Sequence, residues 1–268
     1  MNIKFRVLFA HYAWNALPGS MQILISRIYA TIYKTPISRY FIQPFCRWHQ
    51  LDHHYLNQFI SPKTKTHRYI SFQDFFTRMY KVKPTLQSNM IWPCEGYVCE
   101  QNLVKNLEHV KIKGESTDLR NVFTNDKNSI PDDYFFTNIF LHNQNYHRIH
   151  SPIDGVIRRI EKVPGDLQIL RPWFYKKNEV SRPALTNERV NVDILDKNGK
   201  IWFLSIVGGM VVGSIELLEK CNLGIEVLAG DELAVFYLGS TLCLASPICL
   251  KLLPYLNKVR VGEKLPTC

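Results

Sequence analysis

The sequence predicts an α+β chain, with helices in residues 1–85 and a β-rich, internally duplicated, barrel-like domain in residues 86–268. Three observations predict it. Apolar residues recur at helical spacing early in the chain, at Met21, Leu24, Ile25, Ile28 and Ile32. After residue 90 the pattern changes to alternation, as at Val190, Val192 and Ile194. One turn unit also occurs twice: Pro93-Cys94-Glu95-Gly96-Tyr97-Val98 and Pro152-Ile153-Asp154-Gly155-Val156-Ile157 are both Pro-x-acid-Gly followed by a β-prone and an apolar residue.

In chain order, Pro18-Gly19-Ser20 reads as a helix start with Ser20 as N-cap, and Pro36 ends the segment. Arg27, Lys34 and the aromatics Trp14, Tyr29, Tyr33, Tyr40, Phe41, Phe45 and Trp48 accompany the apolar face. That mixture suits a helix lying on a membrane surface; the alternative is a helix packed on its own domain. Ser71-Phe72-Gln73-Asp74 has capping-box form, and Phe72, Phe75, Phe76, Met79 and Tyr80 then line one predicted helical face. Pro84 closes the helical part. Asp196-Lys197-Asn198-Gly199 marks a hairpin returning through Ile201–Val207. Ala229-Gly230-Asp231-Glu232-Leu233 repeats the Gly-Asp turn of Val163-Pro164-Gly165-Asp166. Such units also occur in lipoyl- and biotinyl-type barrels, which raises a carrier module as a rival. The lysine expected at that module's hairpin tip is missing.

With 46% hydrophobic residues the chain has ample material for a packed core. Lys and Arg outnumber Asp and Glu by 33 to 23, a net charge of +10, which suits an anionic partner. There is no basic run or nucleic-acid motif, so an acidic membrane surface is the expected partner and nucleic acid is not. Seven scattered cysteines, at 46, 94, 99, 221, 243, 249 and 268, predict reduced thiols in a cytoplasmic setting. Their spacing does not fit a zinc site, and no metal is assigned. Val7–Ala10 is too short for a signal-peptide core, and Ile201–Leu218 is too interrupted to span a bilayer.

The chemistry centres on Gly239-Ser240-Thr241, between the apolar runs Leu233–Leu238 and Leu242–Ala245. A glycine before a serine lets the hydroxyl approach the carbonyl between them. Deprotonated Ser240 would attack the Gly239 carbonyl, pass through an ester and break the chain. His147 and His150 are candidate bases, since histidine titrates near neutrality, and Glu95 or Asp154 is the candidate carboxylate. A Ser/His/acid hydrolase is the alternative, but Ser240 lies in no Gly-x-Ser-x-Gly elbow.

Taken together, these motifs resemble the phosphatidylserine decarboxylases over nearly the whole chain. Phe75-Phe76-Thr77-Arg78, Tyr146-His147-Arg148-Ile149-His150-Ser151-Pro152-Ile153-Asp154-Gly155, Pro164-Gly165-Asp166-Leu167, Asn187-Glu188-Arg189-Val190, Val212-Gly213-Ser214-Ile215 and Leu238-Gly239-Ser240-Thr241 fall in the family's order and spacing. The resemblance implies a precursor that cuts itself between Gly239 and Ser240 into a β chain (1–239) and an α chain (240–268). Ser240 would become a covalent pyruvoyl group, forming a Schiff base with phosphatidylserine and releasing CO2 and phosphatidylethanolamine. It implies His150 as the base for self-cleavage, Glu95 as the carboxylate orienting that base, and His147 as the proton donor in decarboxylation. It also implies helices docked peripherally on the cytoplasmic side of a bacterial-type cell membrane; a homodimer stays open. Glu95 stands where the family usually has Asp, adding about 1.5 Å of reach. Ala234 replaces a frequent Gly, a lesser departure. The Glu95 departure keeps a non-cleaving, lipid-binding relative as an alternative.

Overall fold

The computed structural model describes residues 13–14, 16–107, 110–112, 115–123, 130–170, 182–209, 213–237 and 239–268. Val7–Ala10, Val212 and Leu238 lie outside them. The strands are β1 (Phe59–Ile60), β2 (Met79–Tyr80), β3 (Gly96–Leu103), β4 (Val110–Ile112), β5 (Glu115–Thr117), β6 (Phe135–Leu141), β7 (Arg148–His150), β8 (Gly155–Val163), β9 (Arg189–Asp196), β10 (Ile201–Gly208), β11 (Ile215–Leu217), β12 (Glu226–Val227), β13 (Glu232–Phe236), β14 (Ser240–Ser246) and β15 (Asn257–Val259).

Eight strands form one antiparallel sheet in the order β12-β8-β9-β10-β14-β6-β3-β15. The predicted alternation is kept: Val190, Val192 and Ile194 point into a core shared with Leu204, Ile206, Leu242 and Leu244. A second sheet, β11-β13-β7, covers that core and contributes Ile149, Leu233, Ala234 and Phe236. Phe203, Val207, Cys243 and Ala245 face the other side, under Leu119, Val122 and Phe123. The hairpin joining β9 to β10 has Gly199 at φ +75°, and Asp196 Oδ1 accepts from the Asn198 and Lys200 amides.

The barrel expectation is corrected. The sheet is open, because β12 and β15 lie at its two edges and are too short to supply a closing ladder. The order nevertheless reads alike from both ends. β3 and β8 each follow a Pro-x-acid-Gly turn, each has an irregular register near its start, and each lies beside a short edge strand. A methyl group on Gly96 would sit 2.6 Å from Phe140 O and 2.8 Å from Ile139 Cγ2; on Gly155 it would sit 2.5 Å from Leu195 O and 2.7 Å from Ile194 Cγ2.

The first long described helix, Gly19–Lys34, starts behind Pro18 without a side-chain cap, so Ser20 lies inside it and is not the cap. A 3-10 turn (Pro36–Phe41) and a helix (Ile42–Trp48) follow. Of the predicted stripe, Met21, Leu24, Ile28 and Ile32 are 44–59% exposed and Ile25 is half-buried; Ser26 is buried on the other side, and Tyr33 packs inward against Phe72. The helix thus packs on its own domain through the face of Ser26 and Tyr33 and leaves the apolar stripe outward.

Ser71 caps the helix Phe72–Phe76 by accepting from the Asp74 amide. The box is not reciprocal, since Asp74 takes the Ile70 amide and the Ser61 hydroxyl. Phe72, Phe75 and Phe76 are buried as expected. Met79 and Tyr80 leave the helix and form β2 against β1, which corrects the longer helical face. The thiol expectation is also corrected. Cys249 and Cys268 form a disulfide, because a bridge between Leu250 and Thr267 lays the two chain segments side by side. Cys46, Cys94, Cys99, Cys221 and Cys243 are free.

Candidate functional site

Ser240 begins β14 in the middle of the large sheet, opposite Gly208 of β10 and Leu141 of β6. It is fully buried, and its Oγ has no hydrogen-bond partner among the described residues. Buried hydroxyls are normally satisfied, so such an orphan marks a place where chemistry or a ligand is expected. Gly239 has φ +50°, a left-handed conformation that suits glycine. Its carbonyl oxygen lies against Gly209, where a methyl group would come within 2.6 Å. Three glycines, 208, 209 and 239, thus keep side chains away from the Gly239–Ser240 link.

Motifs scattered through the sequence meet at this point. Asn187 Nδ2 donates to Gly208 O (2.9 Å) and Gln168 O (2.9 Å), tying the Pro164–Leu167 loop to the end of β10. Glu188 O accepts from the Gly208 amide, and Glu188 Oε2 accepts from the Gly213 amide.

The two histidines differ in their surroundings. His147 stands opposite Phe236 in the extension of the β7–β13 ladder, its carbonyl accepting from the Phe236 amide. Opposite residues share a side, so His147 faces the inter-layer space with Phe236. Ser240 faces the same space, by its alternation with Leu242 and Leu244. His147 Nδ1 must donate to Asn145 O (2.8 Å), which leaves Nε2 a bare acceptor with no partner among the described residues. Burial, with the nearby Arg78 guanidinium, holds its pKa well below the usual histidine value, so the ring is neutral.

His150 is also buried, and burial lowers its pKa. Its Nδ1 donates to Gly230 O (2.8 Å), and its Nε2 lies 3.0 Å from the Tyr146 hydroxyl oxygen. Tyr146 also touches Glu232 Oε1 (3.1 Å), and Glu232 Oε2 pairs with Arg148 at 2.6 Å. Glu232 is therefore the carboxylate nearest to His150 by hydrogen-bond chain.

The expected Glu95–His150 hydrogen bond is not formed. Glu95 is 1% exposed and accepts from Tyr55 OH (2.9 Å), Asn145 Nδ2 (2.9 Å) and Lys258 Nζ (3.2 Å). These three donors occupy the carboxylate, which grips Asn145, the residue whose carbonyl fixes the His147 tautomer. Asp154 is exposed and accepts from the amide of Ala229, the residue before Gly230, and makes no bond to either histidine among the described residues.

The sequence reading missed Arg78, Tyr146, Glu232 and the glycine pair Gly208-Gly209 as site residues. Arg78 is fully buried, donates to Gln144 O and Asn145 O (2.8 Å each), and lies over the Phe59 and Phe75 rings. Phe76 packs on the His147 ring at 4.0 Å. The Phe75–Arg78 signature thus supports His147 from two sides. Among the described residues no group of His, Cys, Asp or Glu is placed to hold a metal ion.

A buried serine at a strand start, a glycine-lined link and two buried histidines are the features of an enzyme-type site. Residues 72–266 match the family model "Phosphatidylserine decarboxylase". Similar proteins include the phosphatidylserine decarboxylase proenzymes of Chromobacterium violaceum (29% identical, covering 74% of this chain and 78% of that protein) and Methylobacillus flagellatus (25%, covering 92% and 89%). That of Wigglesworthia glossinidia brevipalpis is 30% identical, covering 65% and 68%. The chain belongs to the phosphatidylserine decarboxylase family.

Proposed function

We propose that this chain is a proenzyme that cuts itself between Gly239 and Ser240 and then decarboxylates phosphatidylserine to phosphatidylethanolamine. The observation that carries this reading is the buried, unpartnered Ser240 hydroxyl beside a carbonyl flanked by glycines. A histidine removes the Ser240 proton, Oγ attacks the Gly239 carbonyl carbon, and the chain passes through an ester. Elimination and hydrolysis leave a pyruvoyl group at residue 240. The site fits that group, which is small and planar and meets no side chain on Gly208 or Gly239.

The pyruvoyl carbonyl supplies an acceptor for the substrate amine and for the electrons of the breaking bond. The protein's own residues exclude water and hold the proton that the product needs. His150 is the base for cleavage and His147 the proton donor in decarboxylation. Glu95 acts on Asn145 and so on His147. A second reading exchanges the histidines, and the free Nε2 of His147 favours it, since both His150 nitrogens are engaged before cleavage.

The substrate arrives from a membrane. The exposed stripe Met21–Ile32, with Tyr40, Phe41 and Trp48, rests on an anionic bilayer and leaves the protein peripheral. No described helix is long and apolar enough to cross one. A cleft of about 400 Å³ runs from Lys34, at the end of that helix, past Lys63, Asp74, Arg148 and Glu216 to Tyr237, and its mixed charges suit a zwitterionic head group. The likeness of the two sheet halves supports an internal duplication.

Intact mass tests the reading. The wild type gives two fragments breaking before Ser240, and Ser240→Ala stays a single inactive chain of 31.3 kDa. A wild type that never cleaves would sink it. His147→Ala spares cleavage and lowers turnover; loss of cleavage instead selects the exchanged roles.

A further inference from the structure

A second buried serine shares the space that Ser240 faces. Ser214 is fully buried, and its Oγ, like that of Ser240, has no hydrogen-bond partner among the described residues. Its place follows from Gly208. A methyl group on Gly208 would lie 2.6 Å from Ser214 Oγ, so the hydroxyl occupies the volume of the side chain that Gly208 lacks. Gly208 is the cross-strand partner of Ser240, and directly opposite residues in an antiparallel pair point to the same side, with Cβ positions about 4.5–5.5 Å apart. Ser214 Oγ therefore stands beside the Ser240 side chain, on the face that His147 also addresses.

The backbone holds Ser214 there from both sides. Its carbonyl accepts from the Tyr237 amide (2.8 Å), and the preceding Gly213, at φ +62°, donates to Glu188 Oε2 (3.2 Å). Glu188 also fixes Gly208 through its carbonyl, so one residue sets both sides of the contact. Two buried hydroxyls without partners on adjoining positions carry an unmet desolvation cost unless they bond to each other or to a reacting group.

We propose that Ser214 is a further catalytic residue for self-cleavage, its hydroxyl donating to Ser240 Oγ, so that the Ser240 proton points to the histidine and a lone pair points toward the Gly239 carbonyl carbon. The inference rests on the self-cleavage reading above. In the step, the histidine takes the Ser240 proton and the Oγ–C bond forms. The Gly239–Ser240 C–N bond breaks, and the proton returns to the released amine. Ser214 keeps its own proton throughout, and no other reactant enters.

The test follows the rate of chain cutting by gel and mass on purified full-length precursor, together with melting temperature. Ser214→Ala is expected to slow cutting at least tenfold with the melting temperature unchanged. Cutting within twofold of wild type overturns the proposal. Ser214→Cys keeps the volume but offers a poor hydrogen-bonding group, so it should be slow as well; a fast Cys variant assigns Ser214 to packing and also overturns it. If Ser214→Ala melts early, the Cys variant decides. If the wild type itself stays whole, the self-cleavage reading has failed and Ser214 falls with it; a cutting wild type beside fast variants removes Ser214 alone.

Discussion

Glu95 and Asp154 hold the same place in two copies of one turn, and the fold uses them in opposite ways. Both turns lead into a long strand through a glycine pressed against the neighbouring strand's carbonyl. At the first, Tyr55 from the N-terminal segment and Lys258 from the C-terminal one close over the acid, and Asn145 reaches it from the loop before β7. At the second, the acid stands in solvent and caps one amide. The strand ends are nearly equivalent; what is layered on them is not. A site residue arises here where distant segments bury a carboxylate that the local turn would otherwise leave exposed. The histidine strand lies between the two turns, with the His150 amide donating to Pro93 O and the Ile91 amide to Pro152 O.

The largest expected effect comes from removing each acid. Glu95→Ala leaves buried donors without an acceptor and should cost about 3–5 kcal/mol, whereas Asp154→Ala loses one exposed cap, about 1 kcal/mol. Denaturant unfolding of both variants checks this, and equal losses would break the comparison. The glycines should behave alike. Gly96→Ala and Gly155→Ala each force a methyl group onto a backbone carbonyl and should each cost about 1–3 kcal/mol. A much smaller loss at one end would show that the two ends are built differently.

The smallest effect concerns pH and separates the histidines from ordinary ones. Both have folded pKa values below the unfolded value, about 6.5. Their contribution to stability is thus full above pH 6.5 and is lost as pH falls below it, because the unfolded chain takes protons that the folded chain refuses. A base with a lowered pKa also stays neutral there, so the cleavage rate should hold level through pH 6.5 and decline only at lower pH. A decline centred at or above 6.5 would contradict the burial argument.

Much of this was legible before folding. Val190, Val192 and Ile194 alternate because one strand face meets the core, and Asn198-Gly199 turns because glycine accepts a positive φ. The Pro-x-acid-Gly repeat marked both strand starts, and Gly239-Ser240 with His147 and His150 marked the chemistry. These signals depend on neighbours a few residues apart. Other features were not legible. Met79 and Tyr80 fit a helical face but form β2, because pairing with Phe59 and Ile60 outweighs local spacing. The Cys249–Cys268 disulfide depends on a bridge that sequence spacing does not reveal.

By itself the sequence determined the alternating strands around the Asn198-Gly199 turn, the two Pro-x-acid-Gly strand starts and the residue types gathered around Ser240, since period and turn chemistry are local properties. Only the tertiary structure decided that the sheet stays open, that the apolar stripe of the first long helix faces outward, that Glu95 bonds Tyr55, Asn145 and Lys258 instead of His150, and that Ser214 fills the space above Gly208. Each of those depends on which distant segments bury one another, and burial is settled by the whole chain at once.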